Sequence, residues 1–143
     1  MLQRLHFAGL HLEQAHDDDR PYVIAGRRAY AIGMMSGAPP HVGDEHLVGE
    51  MGGFWAHPIK ALDAWGLEVN QERGTTVTFE TYFWGIERTR AFSGGILARE
   101  LEWVDEDARA LFVRVIVENP TAQTHMLNLR YFVQPHLRPC WMS

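Results

Sequence analysis

The sequence predicts an all-β fold, an antiparallel β-sandwich. Two features favour it: several segments alternate apolar with polar residues, and turn residues separate these segments at intervals of roughly 8–12 residues. No long segment shows the 3.6-residue periodicity of an amphipathic helix. Because each predicted strand has one apolar face, two sheets must pack together to bury those faces.

The first predicted elements form a β-hairpin. Residues 22–26 and 29–35 are short apolar segments, and Arg27 and Arg28 join them directly after a glycine. A further strand is predicted at residues 75–84, where apolar side chains alternate with polar ones. Three of its apolar side chains are predicted to share the buried face: Val77, Phe79 and Phe83.

The second half of the chain predicts three successive strands that form a meander. The middle strand is the clearest, with four apolar residues in alternation: Leu111, Val113, Val115 and Val117. The strand before it contains Leu97, Leu101 and Trp103, and the strand after it contains Leu127, Leu129, Tyr131 and Val133. Because Glu100 and Glu102 alternate with Leu101 and Trp103, both glutamates are predicted to face solvent.

The middle of the chain, residues 36–58, is predicted to be a long loop. It is rich in glycine, proline and histidine and contains only short apolar pairs. Within it, Glu50, Trp55 and His57 are the candidate substrate-binding residues. Aromatic rings stack on sugar rings, while carboxylates and imidazoles bind hydroxyl groups. A well-packed Ω-loop that binds no ligand is an equally good interpretation of the same residues.

Composition restricts the class of protein. The 143 residues fit one domain, residues 1–143, with a net charge of −5 and scattered arginines, so no nucleic-acid partner is expected. No signal peptide or membrane-length apolar segment is seen, and Cys140, the only cysteine, has no partner for an internal disulfide. A cytoplasmic location is therefore predicted. Residues 139–143 follow a strand without a polar tail, which predicts an N-terminal fragment of a longer chain. An exposed patch around Leu137, Trp141 and Met142 is expected to make the isolated fragment self-associate.

The sequence predicts no catalytic residue, metal or cofactor in this chain. Eight histidines are present, but His6, His11 and His16 are spaced five apart, which matches neither a helix face nor a strand face. No serine lies in a nucleophile elbow, and no glycine-rich phosphate loop is found. Five tryptophans could form a sugar-binding platform, but Trp84 and Trp103 are expected to pack in the core or against another domain.

From about residue 20 onward, the chain resembles the N-terminal β-sandwich (supersandwich) domain of bacterial glycogen-debranching-like and related glycoside hydrolases. The resemblance rests on Gly-Glu-Met-Gly-Gly-Phe-Trp-Ala-His-Pro-Ile-Lys at residues 49–60, and on Leu127, Leu129 and Tyr131 leading to Leu-Arg-Pro-Cys-Trp at residues 137–141. It implies docking to a C-terminal (α/α)6 catalytic domain that supplies the acid and base carboxylates. It also implies that Glu50, Trp55 and His57 lie near an oligosaccharide or polysaccharide substrate.

Three functions remain open at this stage. The first is a non-catalytic N-terminal module of a glycoside hydrolase of the α-glucosidase or debranching type. It docks the catalytic barrel and contributes a loop to its carbohydrate site. The second is a stand-alone carbohydrate-binding protein that stacks sugars on Trp55. The third is a small β-barrel enzyme with a histidine-ligated metal.

Overall fold

The computed structural model describes residues 20–40 and 51–140. They form nine β-strands: β1 (Pro21–Ala25), β2 (Tyr30–Met34), β3 (Gly53–Ala56), β4 (Ile59–Val69), β5 (Thr75–Tyr82), β6 (Gly85–Ala91), β7 (Leu97–Val104), β8 (Leu111–Glu118) and β9 (Leu129–Pro139). A single 3-10 turn, Ser93–Gly95, joins β6 to β7. The strands build a five-stranded sheet in the order β1-β2-β3-β4-β9 and a four-stranded sheet in the order β5-β6-β7-β8. Every pairing is antiparallel, which confirms the predicted fold class.

The N-terminal hairpin is confirmed. β1 and β2 pair from Pro21 opposite Met34 to Ala25 opposite Tyr30, and the Gly26 amide donates to the Ala29 carbonyl to close the turn. Tyr22 and Ile24 alternate with exposed residues, so this edge strand has one buried face, as its sequence pattern indicates.

Two strands lie where the sequence predicted none. The long-loop prediction over residues 36–58 is wrong at its end, because residues 53–56 form β3. The eleven-residue β4 follows it after a two-residue turn. β4 lies in the interior of its sheet between β3 and β9, and its residues 64–67 are all buried. A strand that is buried on both faces loses the alternation that identifies half-buried strands.

The predicted meander of the last three strands is also wrong. β5 to β8 do form a meander, but β9 crosses to the other sheet and pairs with β4 along its whole length, from Ile59 opposite Pro139 to Val69 opposite Leu129. Alternation in a sequence identifies the two faces of a strand and does not identify its neighbour.

The register of β5 corrects a third expectation. The pairing with β6 shifts between Thr76 and Thr78, so Val77 falls at a β-bulge and is 48% exposed. Phe83 lies beyond the end of the strand and is 84% exposed. Of the three apolar residues predicted to be buried, Phe79 alone packs in the core.

The core between the sheets has two parts. The larger is built around Tyr22, Phe54, Trp65 and Phe79, and the smaller around Phe92. The predicted apolar face of β8 is confirmed, because Leu111 and Val113 pack against the first part and Val115 and Val117 against the second.

Candidate functional site

The most unexpected feature of the molecule is a cluster of charged residues between the two sheets. Glu100 and Glu102 are both 0% exposed, so the prediction that they face solvent is wrong. Arg88 and Arg90 on the neighbouring strand β6 are 2% and 1% exposed. The inner face of this part of the four-stranded sheet is therefore ionic, while Leu101 and Trp103 point to the outside.

Hydrogen bonds occupy both carboxylates of this cluster. Arg90 donates to Glu100 from Nε at 2.6 Å, and Arg88 donates to Glu102 at 2.6 Å and to Glu100 at 3.2 Å. From the other sheet, the Tyr22 hydroxyl donates to Glu102 Oε2 at 2.5 Å. We call these residues, together with Trp65, whose indole donates to the same oxygen at 3.1 Å, the buried ionic cluster.

The buried ionic cluster holds the two sheets together and is not an active site. A carboxylate that protonates a glycosidic oxygen must reach the substrate, whereas both glutamates here are sealed from solvent. Burial, and next to it the negative charge of Glu102, raise the pKa of Tyr22 well above its usual value, so its hydroxyl keeps its proton. The sequence does carry a signal for the cluster. Two arginines, Arg88 and Arg90, are spaced two residues apart, and so are two glutamates, Glu100 and Glu102.

Of the three predicted sugar-binding residues, Trp55 lies on the side of the five-stranded sheet that faces away from the buried ionic cluster. Trp55 in β3 is 7% exposed, its ring stacks on Tyr30 with centroids 6.1 Å apart, and its indole donates to the Met51 carbonyl. His57 is exposed in the β3–β4 turn, next to a cis peptide bond to Pro58. Glu50 lies outside the described residues. The structure therefore brings Trp55 and Tyr30 together and leaves the imidazole of His57 accessible.

A chain of polar contacts runs beside Trp55. The Lys60 ammonium group lies 5.7 Å from the centre of the Trp55 ring and pairs with Asp63 at 2.7 Å. His136 of β9 binds the other oxygen of Asp63 at 2.7 Å. Partial burial would raise the pKa of Asp63, but the hydrogen bonds and positive charges of Lys60 and His136 outweigh it and lower that pKa. The sequence did not predict these three residues together. Lys60 and Asp63 lie in β4 and His136 lies in β9, and the pairing of these two strands was not predicted.

The inner face of β9 is open to solvent. Three of its residues pair with three buried residues of β4: Leu129 with Val69, Tyr131 with Leu67 and Val133 with Trp65. Directly paired residues point to the same side of a sheet, so these β9 side chains face the layer that the four-stranded sheet occupies. They are nevertheless 53%, 39% and 53% exposed. We call Leu129, Tyr131 and Val133 the open face of β9.

Aromatic side chains also collect on the outside of the four-stranded sheet. Tyr82 and Trp84 stack with ring centroids 4.9 Å apart, and Trp103 and Phe112 stack at 5.3 Å. The two pairs are adjacent, because a Cβ atom on Gly85, the residue after Trp84, would lie 3.0 Å from the Cβ of Trp103. Trp84 is 39% exposed and Trp103 lies on the outer face, so neither is a core residue. We call these four residues the aromatic surface.

Comparison of the sequence with family models and curated proteins, and of the structure with solved structures, gave no match. Within residues 20–40 and 51–140, no three histidine, cysteine, aspartate or glutamate side chains converge as metal ligands would. Over the same ranges, no helix is long and apolar enough to cross a membrane. His6, His11 and His16 lie outside the described residues.

Proposed function

We propose that this chain is a non-catalytic β-sandwich module that docks a further domain through the open face of β9. The observation that carries the proposal is the unequal number of strands in the two sheets. The five-stranded sheet ends in β9, whose apolar inner residues point toward the opposite layer and remain exposed. An aromatic ring and two branched aliphatic side chains in one row are typical of an interface core.

The partner in this proposal is the catalytic domain of a carbohydrate-processing protein. The resemblance of residues 49–60 and 127–141 to the sandwich domains of glycoside hydrolases supports that choice. Two structural facts agree with it: the carboxylates of the buried ionic cluster cannot reach a substrate, and the exposed His57 lies in a turn, where loops of such a module contribute to a neighbouring site.

Hydroxyl-radical footprinting tests the docking role. Labelling of Tyr131 and Val133 is compared between the isolated 143-residue chain and the polypeptide isolated from its native cells. We expect strong protection of both residues in the native polypeptide, and a mass several times that of the isolated chain. Phe83, which is 84% exposed and lies in the β5–β6 turn of the four-stranded sheet, is the internal control. Equal labelling of Tyr131 and Val133 in both samples would refute the proposal.

A second candidate function is carbohydrate binding, and the aromatic surface favours it. Exposed rings of Trp84 and Phe112 offer π-faces on which the apolar side of a sugar stacks. Glu87 and Arg99 flank them on the same outer face, where they pair at 3.4 Å and can bind hydroxyl groups. Trp55, on which the stand-alone binding hypothesis was based, has its ring covered and offers less surface.

Titration with oligosaccharides, followed by tryptophan fluorescence, tests this second function. Saturable binding is expected, and Trp84→Ala should weaken it about tenfold, because stacking contributes about 1 kcal/mol or more. Phe83→Ala is the matched control, since Phe83 is next to Trp84 but belongs to neither stacked pair. Binding that survives Trp84→Ala unchanged would exclude the aromatic surface.

A further inference from the structure

Three hairpin turns meet at one end of the sandwich and form a groove. Its floor is apolar and consists of Val23, Ala25, Ala29 and Tyr30. Its rim carries four basic side chains: Arg27, Arg28, His57 and Arg109. The cavity volume is about 460 Å³, which lies in the range of small-molecule sites. We call it the arginine groove.

The turns that carry the arginines are fixed to one another. The Arg27 amide donates to the Glu106 carbonyl at 2.9 Å, and the Arg27 guanidinium pairs with Asp107. Gly26 allows this close approach, because a Cβ atom there would lie 2.0 Å from the Asp105 carbonyl oxygen. The backbones of the β1–β2 and β7–β8 turns are therefore fixed to each other, so Arg28 and Arg109 extend from set positions before any ligand binds.

The charges around the groove are not all neutralised. Arg27 is balanced by Glu106 and Asp107, and the Asp105 carboxylate accepts the amides of its own turn. No salt bridge connects Arg28 or Arg109 to another residue in the described part of the chain. Two guanidinium groups thus face a groove without a counter-charge, on a protein whose net charge is −5.

We propose that the arginine groove binds a small organic anion. Arg28 and Arg109 bind its phosphate or carboxylate group, and Val23 and Tyr30 contact its apolar face. Guanidinium groups bind both kinds of anion through paired, charge-assisted hydrogen bonds. Val23 is 64% exposed on the groove floor, so a ligand ring would cover apolar surface that water now contacts. The site is independent of the docking role of β9.

Isothermal titration calorimetry at low ionic strength tests the proposal with four probes: glucose 6-phosphate, glucuronate, inorganic phosphate and glucose. We expect at least one of the two sugar anions to bind, more tightly than inorganic phosphate, and glucose to show no heat of binding. The tighter of the two identifies phosphate or carboxylate as the preferred group. Binding should weaken as salt is added, because the arginines are exposed.

Charge-neutralising variants locate the site. Arg28→Gln and Arg109→Gln should each weaken binding about tenfold, the equivalent of one charge-assisted hydrogen bond. Arg114→Gln removes the same charge from an exposed position on the outer face of β8 and should leave binding unchanged. Circular dichroism checks that all three variants fold. An equal loss in Arg114→Gln, binding of glucose, inorganic phosphate binding as tightly as the sugar anions, or no binding of either sugar anion would overturn the proposal.

Discussion

Tyr22 and Glu102 connect the two sheets through a buried hydrogen bond of 2.5 Å. Tyr22 belongs to the edge strand β1 of one sheet and Glu102 to the interior strand β7 of the other. The carboxylate also accepts from Arg88 and Trp65, so one side chain receives donors from three strands. Because the Glu102 carboxylate is buried and all of these hydrogen bonds must be kept, it fixes the position of one sheet relative to the other.

Replacement of Glu102 tests this connection. Glu102→Gln keeps the shape of the side chain but removes one of the two buried carboxylates, so that Arg88 and Arg90 share the single negative charge of Glu100. A buried charge without compensation is costly. We expect the free energy of unfolding to fall by about 3–5 kcal/mol. Urea denaturation followed by circular dichroism measures it.

The matched control is Glu87→Gln. Glu87 pairs with Arg99 at 3.4 Å on the outside of the same sheet, where both side chains are partly exposed. Its loss should cost less than about 1 kcal/mol. If the two variants were equally stable, Glu102 would contribute no more than a surface carboxylate, and the buried ionic cluster would not hold the sheets together.

Trp55→Ala separates packing from ligand binding. The ring is buried against Tyr30 and beneath the Lys60 ammonium group, so truncation leaves a large cavity. The expected loss of stability is about 3–5 kcal/mol. Trp84→Ala, in which a 39% exposed ring is lost, should cost only about 1 kcal/mol. Equal and small losses would show that the Trp55 ring is free for a ligand.

The fold class could be predicted because the strands with one solvated face reveal themselves by alternation. β8 is the clearest case, since Val113 and Val115 are buried in part while Arg114 between them is exposed. β4 gives no such signal, because both of its faces are covered around Ala64 and Trp65. The neighbour of β9 could not be predicted at all, since alternation is the same whichever strand it pairs with.

In β7, the hydrophobic pattern predicts the wrong buried face, and the buried ionic cluster explains why. β7 alternates glutamates with Leu101 and Trp103, and the usual rule buries the apolar residues. In the structure the glutamates are buried instead, because Arg88 lies directly opposite Glu100 and supplies the missing charge. The rule fails when two neighbouring strands carry opposite charges with the same spacing, which is visible only once the strands are paired.

The low pKa of Asp63 predicts a loss of stability in acid. Because the folded-state pKa lies below the usual value of 3.8, the carboxylate stabilises the fold fully above that value, and its contribution falls as the pH drops through the folded-state pKa. Asp63→Asn should therefore lower the urea midpoint at pH 7 and make little difference near pH 2.

Glu118→Gln is the control for this pH dependence. Glu118 is an exposed carboxylate at the end of β8, and its removal should leave the midpoint at pH 7 unchanged. A gap between wild type and Asp63→Asn that persists unchanged in acid would mean that the Lys60 and His136 contacts do not depend on the charge of Asp63.

The open face of β9 predicts that replacement by serine destabilises the fold much less at Val133 than at Leu67, although both residues lie on the same side of one sheet. Val133 and Leu67 lie on neighbouring strands and point to the same layer, yet Val133 is 53% exposed and Leu67 is 3% exposed. In the isolated chain, Leu67→Ser should cost about 3–5 kcal/mol of unfolding free energy. Val133→Ser should cost less than about 1 kcal/mol.

Sedimentation velocity completes this test. If Val133 belongs to a docking surface, the wild-type chain should self-associate as its concentration rises, and Val133→Ser should shift it toward the monomer, because a hydroxyl group interrupts the apolar row. Leu137→Ser, at an 81% exposed position of the same strand, shows whether the association extends along β9. A loss of stability in Val133→Ser as large as in Leu67→Ser would show that Val133 is already covered within the chain, so that β9 would offer no open face to a partner.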